Sequence, residues 1–144
     1  MNRADLYLLS TPAMTEQVNF CCRLTEKAFL DFKRIHIQTS QSIQNEALDT
    51  ALWTFKPESF LPHDIGQAVK PIPPIIIDSN NLKNELFLSS NLLILLTTQL
   101  PDNAQRFDRI CILVSNIEEE IQAARALYKE LKKQNIEVHI HDMR

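Results

Sequence analysis

The chain has 144 residues and a mass of 16.6 kDa, the size of one domain around one core. Hydrophobic residues make up 44% and charged residues 23%, which is too apolar for a disordered chain. A formal charge of -3 and a pI near 5.8 argue against a surface built mainly to hold nucleic acid, and the single glycine, Gly66, cannot supply a glycine-rich phosphate loop.

Ala4 to Leu9 is a short apolar run followed by Ser10, Thr11 and Pro12, which reads as a buried strand leading into a helix start. A helix is predicted over about 13–31, with Met14, Val18, Cys21, Cys22 and Leu24 at three- and four-residue spacing and Glu16, Arg23, Glu26 and Lys27 facing water. Arg34 to Gln38 is a second strand. Thr39 or Ser40 can then cap a second helix carrying Ile43, Ala47, Leu48, Ala51 and Leu52 on one face. From Trp53 to Pro74 the chain holds five prolines, so a long irregular connection is expected. Ile75 to Ile77 and Leu92 to Leu96 are apolar runs of strand length, separated by the polar stretch Asp78 to Asn84 and a brief apolar one at Leu86 to Leu88. Arg109 to Val114 is a further strand. Asn116 to Gln134 is a strong helix, with Glu118, Glu119 and Glu120 at its start and Lys129, Lys132 and Lys133 near its end, as the helix macrodipole favours. Ile136 to Ile140 alternates apolar and polar residues as a last strand.

Strands alternating with helices define an α/β fold. The expectation is one domain over residues 1–144, a largely parallel central sheet with helices packed on its faces, and no glycine-rich phosphate loop. Cys21, Cys22 and Cys111 form neither a disulfide framework nor a metal knuckle, which fits a reducing cytoplasm. No run has the length or apolarity of a signal peptide or a membrane span, so the reading is a cytoplasmic chain without a membrane partner.

His139 and His141, at i and i+2 on a strand, share a face, but no cysteine or carboxylate placed nearby in sequence completes a metal set. His36, between Ile35 and Ile37, reads as a strand histidine, and vicinal Cys21 and Cys22 as helix packing. No cofactor, metal or catalytic residue is expected. Two segments stand out instead. Trp53, Phe55 and Phe60 lie on proline-bearing backbone, where aromatic rings either anchor a partner or fill the core. In the late helix Arg125, Tyr128, Lys129 and Lys132 fall at i, i+3, i+4 and i+7, on one face. That face is either a solvated basic surface or, with Val114 at the end of the preceding strand, a small apolar dent with basic walls.

Leu48-Asp49-Thr50-Ala51-Leu52-Trp53 followed by Glu58-Ser59-Phe60-Leu61-Pro62-His63 resembles the central motif of the chi subunit family of bacterial DNA polymerase III. Leu6-Tyr7-Leu8-Leu9 is similar to that family's first strand, and Arg125, Tyr128 and Lys129 to its late helix, over essentially the whole chain. Leu127 stands where some relatives have another cation, and Gln134 and Asn135 replace a glycine turn.

The resemblance implies a non-catalytic accessory subunit of the clamp-loader complex. One surface, at Trp53 and Phe60, would bind the psi subunit. Another, formed by Val114, Arg125, Tyr128 and Lys129, would grip the acidic, phenylalanine-ended C-terminal tail of single-stranded-DNA-binding protein, leaving DNA contact mainly indirect. Polymerase activity would belong to the assembled holoenzyme. The alternative is a small α/β enzyme acting on a nucleotide or phosphorylated metabolite, which would need the phosphate site that one glycine cannot provide.

Overall fold

The structure, a computed structural model, describes residues 3–29, 34–39, 46–51, 63–65, 75–78, 92–100, 104 and 107–144. The short apolar runs become strands β1 (Arg3–Leu8), β2 (Ile35–Gln38), β4 (Ile75–Asp78), β5 (Leu92–Leu95) and β6 (Arg109–Val114), joined by β3 (His63–Ile65) and β7 (Glu137–Asp142). They form a seven-stranded sheet in the order β3-β4-β2-β5-β6-β1-β7, and every described pair is parallel. Parallel strands need crossovers, and these are supplied in part by α1 (Met14–Ala28), a described helical stretch α2 (46–51) and α3 (Glu118–Lys133).

The pleat of β1 sorts its side chains between the two faces. Tyr7 and Leu9 join Val18, Cys21 and Cys22 of α1 and Leu48 of α2 in one apolar cluster, which also takes Cys111 and Leu113. Leu6 joins Ile110, Ile112 and Val114 of β6 with Phe107 and Ala124 of α3 in another. Thus α1 and α2 cover one face and α3 the other, and the central strands are buried from both sides, which is why they read as unbroken aliphatic runs.

Some elements differ from the sequence reading. β3 lies inside the proline-bearing connection; a three-residue edge strand is held by its backbone ladder and carries no apolar period to betray it. Met14, placed in the apolar stripe of α1, is 40% exposed. The buried face begins one turn later, where Gln17 is buried and its Nε2 donates to the Leu96 carbonyl at 3.2 Å. α3 starts at Glu118 rather than Asn116.

At the far end of α3, Asn135 takes a φ of 60°. Its N–H donates to the Lys132 carbonyl at 3.1 Å and that of Ile136 to the Leu131 carbonyl at 3.2 Å. Leu131 and Ile136 then pack in one apolar cluster. These are the paired bonds and apolar contact of a Schellman cap, with asparagine in the left-handed position that glycine usually takes.

Adjacent β1 and β6 feed helices on opposite faces, so the sheet has a topological switch point at their carboxyl ends, where α/β folds commonly bind ligands. Here the two loops are tied together directly. Asn116 donates its backbone N–H to the Thr11 carbonyl at 3.3 Å and its side-chain amide to the Ser10 carbonyl at 3.1 Å.

Candidate functional site

α3 buries Ile121, Ala124 and Leu131 against the sheet. Neighbouring positions around the helix bring Arg125, Tyr128 and Lys129 to a groove of about 560 Å³ between α3 and the β1–β7 edge. Its floor is apolar, with Leu6 and Leu8 from β1 and Ile140, 51% exposed, from β7. Arg125, Lys129 and Arg144 give it cationic walls. Arg144 is held in place by Asp142, with Nη2 to Oδ2 and Nε to Oδ1 both 3.0 Å. Hydrogen bonds from Arg144 bring the Asp142 carboxyl down to about 2, so it stays ionised and paired. The Lys132 ammonium lies 5.7 Å from the Tyr128 ring centroid.

The structure therefore gathers three of the four residues read as the basic dent. Val114, 1% exposed, lies in the apolar cluster beneath Leu8 and Tyr128. Its place is the support under the groove rather than its surface. Ile140, Leu6, Leu8 and Arg144 were not assigned to this site by the sequence reading, because it takes the pairing of β7 with β1 to bring the two strands together beside α3. Chemically, the groove offers guanidinium and ammonium donors for carboxylates around an apolar floor.

On the opposite face, Asp5 is fully buried beneath three basic side chains. Arg109 Nε donates to its Oδ2 at 2.8 Å, Arg3 Nη2 to Oδ1 at 3.1 Å, and His141 Nε2 lies 3.0 Å from Oδ1. Burial would raise this carboxyl, but the hydrogen bonds from His141 and Arg3 and the charge of Arg109 outweigh it and hold it below the ordinary 3.8. His139, the other half of the histidine pair, has Nε2 3.1 Å from Glu137. Among the described residues no three His, Cys, Asp or Glu side chains converge as a metal site. His36 is buried, and desolvation pushes its imidazole down to about 3, so it is neutral at pH 7. Trp53 and Phe60 lie outside the described residues, as does Phe55. No described helix is long and apolar enough to cross a membrane.

By overall shape the chain is similar to the C-terminal domain of a Sulfolobus solfataricus SWI2/SNF2 ATPase, with a TM-score of 0.52 at 16% identity, covering 88% of this chain and 63% of that one. It is similar also to the C-terminal part of the Fun30 ATPase domain, with a TM-score of 0.50 at 12% identity, covering 82% of this chain and 54% of that one. These likenesses describe the α/β fold alone. In sequence it is 27% identical over 141 residues to a DNA polymerase III subunit chi of Pseudomonas aeruginosa, covering 98% of this chain and 96% of the relative. It is 27% identical over 132 residues to the subunit of that name in Haemophilus influenzae, covering 91% and 90%. The family model described as DNA polymerase III chi subunit, HolC, matches residues 1–139, and the chain belongs to that family.

Proposed function

We propose that this chain is a non-catalytic accessory subunit of the replicative DNA polymerase that joins the clamp loader, through psi, to the C-terminal tail of single-stranded-DNA-binding protein. The observation that carries the reading is the α3 groove, with Tyr128 and Ile140 beside the cations Arg125 and Lys129. An acidic peptide ending in phenylalanine matches it in both respects, since its carboxylates meet the walls and its ring the apolar floor. The bonds of Asn116 across the switch point support a binding role over a nucleotide-processing one, because its backbone N–H, a donor of the kind a phosphate needs, is spent on the Thr11 carbonyl.

The test is titration of a labelled tail peptide by fluorescence anisotropy, with a peptide lacking the final phenylalanine as control, and co-purification with psi. Saturable binding that needs both Arg125 and the terminal ring supports the reading. Equal binding of the two peptides overturns the groove as the tail site, and failure to recover psi overturns the bridge.

A further inference from the structure

A second basin lies on the other side of β7. Tyr7, Phe20, Arg23, Lys27, His141 and Met143 are among the residues around a depression of about 410 Å³ between α1 and the β1–β7 edge. A smaller cleft of about 100 Å³ shares Tyr7, Leu24 and Lys27 with it and reaches Arg109 and Cys111. The basin repeats the chemistry of the α3 groove with different residues. Arg23 and Lys27 are exposed at i and i+4 on α1, just as Arg125 and Lys129 are on α3. Met143, 45% exposed, takes the place of Ile140.

The charge around it is net positive. Asp5, the carboxylate beneath the basin, is already engaged by Arg3, Arg109 and His141. Asp142 is occupied by Arg144, and Glu137, at the amino end of β7, lies beside His139.

Two anionic polymers could answer that charge, and the aromatic rings decide between them. Tyr7 is stacked on His141 with centroids 4.5 Å apart and planes 10° apart, and its ring meets Phe20 at 5.1 Å. Phe20 carries the Arg23 guanidinium 5.7 Å from its centroid. These rings are engaged with one another and with a cation, whereas single-stranded nucleic acid is gripped by rings presented for base stacking along an extended basic track. An open basin with two helix cations and an exposed methionine matches carboxylates plus one apolar side chain. We infer that the Arg23–Lys27 basin is a second acidic-peptide site, on the opposite face of β7 from the α3 groove.

The inference does not depend on the α3 groove being occupied. The probe is a labelled peptide of four aspartates followed by phenylalanine, titrated calorimetrically into the full chain. Two equivalents are expected for the unaltered protein and one for Arg23→Ala/Lys27→Ala. One is also expected for Arg125→Ala/Lys129→Ala, with the remaining binding weakened about tenfold or more by adding the α1 pair of substitutions. All four side chains are exposed, and unchanged melting curves would exclude misfolding as the cause. Unchanged stoichiometry and affinity in Arg23→Ala/Lys27→Ala overturns the inference. So does an oligothymidylate that binds in place of the peptide and is lost with the same substitutions, since the surface would then serve nucleic acid. Loss of binding only in Arg125→Ala/Lys129→Ala leaves the α3 groove standing alone and overturns the second site. Loss only in the α1 variant does the reverse.

Discussion

Arg109 Nε and Asp5 Oδ2 lie 2.8 Å apart across the β1–β6 pair, joining a partly exposed guanidinium to a carboxylate with no solvent exposure. Removing the carboxylate strands two arginines at the edge of the core. Asp5→Ala is expected to cost about 2–3 kcal/mol, toward the lower end for a broken buried pair because Arg3 and Arg109 reach water. The folded carboxyl titrates below its ordinary 3.8, so its contribution is present above that pH and is lost as pH falls through the folded value. Denaturant midpoints measured from pH 6 down to 2 should therefore drop more steeply for the unaltered chain than for Asp5→Asn.

For the α3 groove, Arg125→Ala should weaken tail-peptide binding by about 1.5–3 kcal/mol, the range for a hydrogen bond to a charged group. Lys129→Ala should cost less, because an ammonium lacks the planar fork of arginine. Both losses should shrink with salt, since exposed charges are screened over about 8 Å at physiological ionic strength. Anisotropy titrations at two salt concentrations check this, and a salt-independent Arg125 effect would count against ion pairing.

In the proposed function, psi binding is assigned to the aromatic segment of Trp53 and Phe60. Trp53→Ala or Phe60→Ala is expected to weaken the pair by roughly 2 kcal/mol or more while leaving tail binding nearly intact. Co-purification alongside a melting curve separates the two roles of these rings, because loss of folding in step with loss of psi would assign them to the core.

Asn135→Ala should destabilise the chain by about 1 kcal/mol, since a Cβ without a local polar partner is disfavoured at positive φ. Asn135→Gly should be neutral or stabilising in the same urea titration. Equal midpoints for alanine and glycine would show that the cap contributes little.

Burial pushes the Cys22 thiol up to about 11 and that of Cys111 to about 12, and Cys21 higher still. Thiolate is therefore scarce at pH 8 in the folded chain. Alkylation should be slow without denaturant and rapid in guanidinium. A cysteine that reacts at once in the native state would contradict the packing of these three side chains.

What the sequence discloses follows the physics of each element. β5 and β6 were legible because strands covered on both faces must be aliphatic throughout, and α3 because one amphipathic period runs from Ile121 to Leu131. Arg125, Tyr128 and Lys129 were legible together because helical spacing is local information. Ile140 and Leu6 were not, since their meeting depends on β7 pairing with β1, more than a hundred residues away in sequence. Asp5 was hidden for a related reason. A lone carboxylate in an apolar run acquires its meaning only when β6 and β7 bring Arg109 and His141 to it.

Among the described strands β7 lies at one edge of the sheet and pairs with β1 alone, with an exposed basin or groove on either side of it. Edge amides open more readily than those of central strands, so Val138 to Asp142 should be among the faster-exchanging strand positions in deuterium oxide. A peptide seated on either face would slow that exchange without displacing a single strand. The edge thus serves as a built-in reporter of whether a peptide is seated beside it.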